Sequence, residues 1–445
     1  MKRTVLFFIL ASCLLFGGIA VSLFAEDADN SFGSEIVTDE DALFGDYDDT
    51  DVASGDAGIE SVNVSSSEAG VTAFLQTDSV RVGGTVDPGL QASWIYFDPA
   101  HSFSLIDPDL QALTPSIPAL LFVDARPKED FRVYGSVKMD WPFVNTTTSY
   151  LNPDNTITTL TQKNVRVFEL FSDFNWNDRV FFRFGKHSVK WGVGYFFSPA
   201  DVISLTKIDM DDPEAQREGP VSLRANIPIP GRQDNIWAYV LVPDTDIPAT
   251  LKPEDIGGAA KYELVLGGWE FAFGGVYQHD NDPRLMLTAS GSLGQLGLFG
   301  EAVTSFTGLS DDTDNSAVHF SGTAGCMYTQ KDWNFTATGQ YYYNGEAELD
   351  TRTQYAALYL SKSKLFIDDL SVALLTMANV SDLSFVVKPS VTWGLLDYAS
   401  LSFTPSFLFS TNALWGLGNS GEYVSVTGAP ALTLSVKVSL GSGRF

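Results

Sequence analysis

Phe131-Arg132-Val133-Tyr134-Gly135-Ser136-Val137-Lys138-Met139-Asp140-Trp141 decides the reading of this chain. Apolar residues or glycine occupy every odd position, and polar or amphipathic ones every even position. A period of two places the two sets on opposite faces of a β-strand. The same pattern returns at Trp333, Phe335, Ala337, Gly339, Tyr341 and Tyr343 against Asn334, Thr336, Thr338, Gln340 and Tyr342. It returns again at Leu432, Leu434, Val436, Val438 and Leu440 against Thr433, Ser435, Lys437 and Ser439. Segments of this kind fill the chain from about residue 79. A strand of about ten residues, tilted near 45°, spans a bilayer with lipid on one face and polar groups on the other.

Alternation alone also suits a soluble sandwich. Two features separate the cases. Trp94, Trp141, Trp176, Trp237, Trp269 and Trp333 all fall within a few residues of an expected turn, as an interfacial aromatic girdle requires. The turns also sort by length. Eighteen strands are expected, starting near residues 89, 118, 129, 164, 178, 220, 235, 258, 269, 283, 295, 316, 332, 354, 368, 382, 398 and 431. The count is sixteen if two of the shorter ones are not separate strands. With both termini in the periplasm, the long connections 98–117, 142–163, 191–219, 244–257, 308–315, 345–353 and 413–430 all fall outside. Only short links face inward, the arrangement of bacterial barrels. The expected fold is therefore an all-β transmembrane antiparallel β-barrel over residues 77–445. Phe445 supplies a terminal aromatic, although Gly441-Ser442-Gly443-Arg444 breaks the alternation before it and departs from the usual assembly signal.

The start of the chain reads as export. Met1-Lys2-Arg3 is basic and Thr4–Ala25 is uncharged, so residues 1–25 form a signal peptide cleaved near Ala25. Two alternatives are a retained helical anchor and lipid attachment at Cys13; the acidic segment that begins at Glu26 opposes the first, and the apolar run beyond Cys13 the second. Residues 26–76 differ from everything that follows. From Glu26 to Gly70 there are fourteen Asp and Glu and no Lys or Arg, a composition expected to stay disordered as an acidic periplasmic tail. Asp46 to Asp51 does not complete a calcium loop, because Asp51 stands where the turn glycine belongs.

Composition also excludes functions. Removal of the signal leaves Cys326 alone, so no internal disulfide forms, and the four histidines have no metal-site spacing. No metal and no cofactor are expected. Gly416 to Gly421 fits G-x-G-x-x-G but lies in a loop with no following helix, and no G-x-S-x-G occurs. His101-Ser102 has no orienting partner. Enzymatic activity is not expected. Residues 71–445 carry 25 basic and 41 acidic groups, which argues against nucleic acid.

The stretch Arg183-Phe184-Gly185-Lys186-His187-Ser188-Val189-Lys190-Trp191-Gly192, followed by Pro199-Ala200-Asp201 and Arg217-Glu218-Gly219, resembles a strand and inner-loop pattern of porin-like outer-membrane barrels. The resemblance covers about 40 residues. It implies a channel like the eighteen-stranded substrate-selective and exopolysaccharide-export barrels, and it assigns no substrate.

Face reading places Glu169, Asp173, Arg179, Arg183 and Arg224 toward the lumen. The connection 193–219 carries Asp201, Asp209, Asp211, Asp212, Glu214, Arg217 and Glu218. Folded inward, these groups would face the wall arginines and narrow the pore with a transverse field. Projected outward, they would be solvated. The expected function is passive diffusion of small polar solutes through the bacterial outer membrane. The alternatives are a surface antigen or adhesin and a hydrophobic-compound transporter. Expected partners are outer-membrane lipid, the outer-membrane assembly machinery and small polar solutes, with a homo-oligomer left open.

Overall fold

A computed structural model describes residues 76–77, 79–96, 111–151, 157–242 apart from 211 and 214, 255–278, 281–307, 317–347, 350–396, 399–411, 421–423, 431–439 and 443–444, together with residue 252. The signal-peptide and tail expectations, Asp211, Glu214 and Phe445 lie outside the described residues.

The strands form one antiparallel sheet. β1 consists of Val80–Val86 and Gly89–Tyr96, interrupted at Asp87-Pro88; β2 of Gln111–Ser116 and Ala119–Lys128, interrupted at Ile117-Pro118. A proline has no N–H for the ladder, so both breaks fall where pairing lapses. There follow β3 (Phe131–Met139), β4 (Val165–Trp176), β5 (Val180–Lys186), β6 (Val221–Pro228), β7 (Asn235–Leu241), β8 (Gly257–Leu266) and β9 (Trp269–Tyr277). The remainder are β10 (Arg284–Leu293), β11 (Leu296–Thr307), β12 (Ala317–Gln330), β13 (Phe335–Tyr343), β14 (Gln354–Lys362), β15 (Leu370–Asn379), β16 (Ser384–Leu396), β17 (Ala399–Ser410) and β18 (Ala431–Ser439). Each pairs with its successor, and β18 pairs with β1 from Leu432↔Tyr96 to Ser439↔Gly89. The pairing thus returns to its start, so that among the described residues every strand is paired on both sides over most of its length, which is what a lipid environment demands.

Eighteen strands match the expectation. β1 and β2 are longer than expected, β1 reaching back to Val80 and β2 beginning at Gln111. The connection 142–163 contains its own hairpin, Thr146–Leu151 paired with Ile157–Gln162.

One face is apolar and exposed, with Phe131, Val133, Leu170, Phe174, Phe184, Phe273, Leu287 and Phe403 all on it. The other face carries Ser136, Arg183, Ser222, Arg224, Thr288, Glu301, Thr338 and Gln340, all buried. The girdle expectation holds for Trp141, Trp176 and Trp333, which are exposed. It fails for Trp237, which is 4% exposed and on the inner face. Proximity to a turn sets the depth of a residue, whereas its parity on the strand sets its face.

Candidate functional site: a loop clamped across the barrel interior

The site starts where β5 ends. Gly185 has φ +133°, and a Cβ there would come within 2.2 Å of the Leu170 carbonyl oxygen, so only glycine fits. Beyond Lys186 the chain leaves the wall and runs as the connection 187–220 before rejoining it at Val221. Residues of this one segment pack against Trp237 and Tyr239 on β7, Met286 on β10 and Val303 on β11. Others pack against Tyr355 on β14, Leu375 on β15 and Val386 on β16. These strands lie far apart around the ring, and one segment can reach them all only from the concave side. The loop lies inside.

Two apolar anchors hold it. Val189, Trp191, Ala200 and Ile203 pack on β7, β8, β10 and β11. Phe196 and Phe197 pack on β14 to β16, with Phe197 stacked on Tyr342 at 5.2 Å. Between the anchors, two wall side chains clamp the loop backbone. Glu301 Oε1 accepts the N–H groups of Val193 (2.6 Å) and Gly194 (2.5 Å) and the Ser198 hydroxyl (3.0 Å). Its Oε2 accepts Ala200 N–H at 2.8 Å. Gln340 Oε1 accepts Phe196 N–H at 2.7 Å, and its Nε2 donates to the Phe197 carbonyl at 2.5 Å and to Thr323 Oγ1 at 2.7 Å. Converging backbone N–H groups form a nest for an anion, here filled by a carboxylate of the wall. A Cβ on Gly192 would strike Ser198 Oγ at 1.8 Å, and one on Gly194 the Phe197 carbonyl oxygen at 2.0 Å, so this turn requires both glycines.

Beneath the loop the wall carries an ionic row. Arg132 donates to Asp124 at 2.8 and 3.0 Å, and Arg183 to Asp173 at 2.6 and 2.9 Å. The Arg183 guanidinium also lies 3.9 Å from the centre of the Phe171 ring. Arg224 is the cross-strand partner of Arg183 and lies over Trp237, whose Nε1 donates to Glu263 at 2.6 Å. His187 is fully buried, with Nδ1 3.1 Å from the Gly185 carbonyl oxygen and no hydrogen-bond partner at Nε2. Burial pushes its pKa well below the usual imidazole range, and the Arg224 and Arg183 charges push the same way.

The sequence-predicted residues therefore divide. Glu169, Asp173, Arg183 and Arg224 stand on the inner face, and Glu169 accepts Ser188 N–H at 3.1 Å. Arg183 and Arg224 are 0% and 1% exposed, so they lie under the loop and do not face an opening. Arg183 pairs with Asp173, its cross-strand partner on β4. Arg179 is exposed in the turn between β4 and β5, at the opposite end of the strand. Asp201 pairs with Arg217 inside the loop and accepts Trp191 N–H at 3.1 Å; burial raises its pKa, with Arg217 opposing. Glu218 pairs with Lys186. Asp209 and Asp212 are exposed. Glu301 and Gln340 escaped sequence reasoning, although Glu301 is the sole ionisable group of β11 and has inner-face parity.

A closed ring of eighteen strands with an inner loop clamped across it defines the architecture. It is that of a β-barrel. Solved structures to which the chain is similar include Acinetobacter baumannii OccAB4, with 9% identity over 83% of this chain and 99% of the other and a TM-score of 0.48. Pseudomonas aeruginosa OccK11 has 7% identity over 82% and 96%, with a TM-score of 0.47. The outer membrane channel DcaP of Acinetobacter baumannii has 12% identity over 82% and 99%, with a TM-score of 0.42. No family model and no curated protein matches the sequence.

Proposed function

We propose that the protein is an outer-membrane channel for passive diffusion of small polar solutes. The observation that carries this reading is the uneven coverage of the inner face. The loop packs on β7 to β16 and reaches Leu408 at the end of β17, while Ser400 to Ser406 on β17, Lys437 on β18 and Gln91 on β1 belong to neither anchor. Of these, the inner positions Ser400, Ser402, Thr404, Ser406, Lys437 and Gln91 are small or hydrophilic. Thr392 Oγ1 and Ser402 Oγ are 3.0 Å apart, Ser402 pairs with Lys437, and Lys437 pairs with Gln91. Lys437 is exposed although its neighbours Val436 and Val438 have outer-face parity. A polar, solvated stripe beside a rigid inner loop gives a water path of restricted width, which sorts solutes by size and charge. Among the described residues of the loop, Asp209 and Asp212 are the exposed acids that would add negative potential to it.

In this reading residues 1–25 are removed on export, and residues 26–76 are an acidic periplasmic tail. The purified protein in planar bilayers should show discrete, stable conductance steps. A barrel that inserts yet stays electrically silent across a range of voltages would refute the channel.

A further inference from the structure

One part of the inner face is open, free of carboxylates and rich in hydroxyls. The register carries a single row across five neighbouring strands. Thr392 of β16 pairs with Ser402 of β17, Ser402 with Lys437 of β18, Lys437 with Gln91 of β1, and Gln91 with Thr114 of β2. Cross-strand partners share a face, so these five positions stand side by side. On β17 the same face continues through Ser400, Thr404 and Ser406. Neighbouring strands lie about 4.8 Å apart, and same-face neighbours on one strand about 7 Å apart. The hydroxyls form a grid.

Exposure and charge set this grid apart from the rest of the inner face. Ser136, Ser222, Ser305 and Thr338 are at most 2% exposed. None of the five row residues is buried, and Lys437 and Thr114 are exposed. The strand segments that build the grid are Ser384–Leu396, Ala399–Ser410, Ala431–Ser439, Gly89–Tyr96 and Gln111–Ser116. They hold none of the chain's 55 Asp and Glu, and their charged residues are Lys388 and Lys437 alone. The inner loop borders the grid. Its Met210 packs against the same apolar cluster as Leu408, the next inner position on β17 after Ser406. Asp209 and Asp212, both exposed, flank Met210.

We propose that this wall is a binding surface for neutral polyhydroxylated solutes, the chemical class of sugars and polyols. The inference deepens the channel reading and rests on it for the solute's passage. A hydroxyl both donates and accepts, so it exchanges a water for a solute hydroxyl at little net cost. No single contact is strong. Repetition at short spacing gives the weak, multi-site binding that lets a solute enter and still leave. A small anion gains from the two lysines and is opposed by Asp209 and Asp212; a cation meets the reverse. A neutral polyol meets neither. An apolar solute would strand the hydroxyls.

The test reads single-channel current of the purified full chain in planar bilayers with maltotriose added. Polyethylene glycol of equal mass, which bears donors only at its ends, is one comparison. A uronic-acid trisaccharide, alike in size but anionic, is the other. Maltotriose should interrupt the current with the longest residence of the three. Thr392→Val/Ser402→Ala should shorten that residence about tenfold, since each lost neutral hydrogen bond is worth a factor of a few. Thr338→Val, a hydroxyl lost from a buried inner position, should leave it unchanged. Heat-modifiable migration and unaltered conductance without sugar show that each variant is folded. Equal residence of maltotriose and polyethylene glycol overturns the proposal while the channel stands. Longer residence of the uronic acid overturns it too, since that identifies a site read by the lysines. Saturation-transfer NMR of maltotriose with the same protein in detergent reads binding without conduction. A barrel that never conducts, yet transfers saturation in wild type and loses it in the double variant, upholds the wall and refutes the channel.

Discussion

Glu301 and Gly194 are 107 residues apart in sequence and 2.5 Å apart in space, the carboxylate of a wall strand accepting a backbone N–H of the inner loop. That carboxylate is buried and takes three further donors, so the loop is fixed by a charge that the barrel supplies. Hydrogen bonds to a charged group are worth about 1.5–3 kcal/mol each, and stranding buried donors adds a desolvation cost. Glu301→Ala should therefore destabilise the barrel by roughly 2–4 kcal/mol. It should also enlarge single-channel conductance and its noise, read in planar bilayers and by thermal gel shift. Glu301→Gln should fall between. Unchanged conductance in the alanine variant would mean that the loop does not limit the pore.

The two faces of the wall should differ in their tolerance of charge. Phe273 and Leu287 are cross-strand partners on the outer face, 58% and 50% exposed. Phe273→Lys should cost about 2–4 kcal/mol if it lies near the bilayer midplane. Ser402→Lys, on the inner solvated stripe, should cost little. Urea titration of vesicle-reconstituted protein measures both, and equal costs would reverse or abolish the assignment of faces.

The charge state of His187 should couple the loop to pH. The folded protein holds its imidazole neutral, so its pKa lies below the usual 6.5. The unfolded or released form then binds more protons as pH falls through 6.5, and stability is lost in that direction and is fully present above it. Charging this ring places a cation beside Arg183 and Arg224, of which Arg183 is paired with Asp173. Between pH 7.5 and 5.5 the thermal transition of the loop-closed barrel should fall, and channel noise should rise. His187→Gln should flatten this dependence. Asp201 acts oppositely at lower pH, since burial favours its neutral form. An identical pH profile in wild type and His187→Gln would dismiss the coupling.

Selectivity should follow exposed loop acids and not buried wall arginines. Asp209→Asn/Asp212→Asn should shift the reversal potential in a salt gradient away from cations, most strongly at low salt, where screening is weak. On a Cys326→Ser background, Lys437→Cys should lose conductance on reaction with a bulky anionic thiol reagent. A zero shift in the first experiment would put both aspartates outside the path. Full conductance after complete labelling in the second would move the path elsewhere.

Periodicity by itself determined where the strands run, that there are eighteen, and which face Arg183, Ser222, Arg224 and Gln340 occupy. These are local facts, since alternation and turn residues act over a few positions. The loop was different. Its buried residues, Val189, Trp191, Phe196 and Phe197, follow neither a period of two nor one of 3.6, so nothing local distinguishes an inward fold from an outward one. Its two clamps, Glu301 and Gln340, lie more than a hundred residues downstream on strands that only barrel closure brings opposite. The pairing of Arg183 with Asp173 likewise needed the register of two strands. Trp237 looked like a girdle residue until its inner face was known. Chain alternation selects the wall. What fills the wall is decided by closure, because only a closed ring gives one short segment a concave surface to bury against from several sides at once.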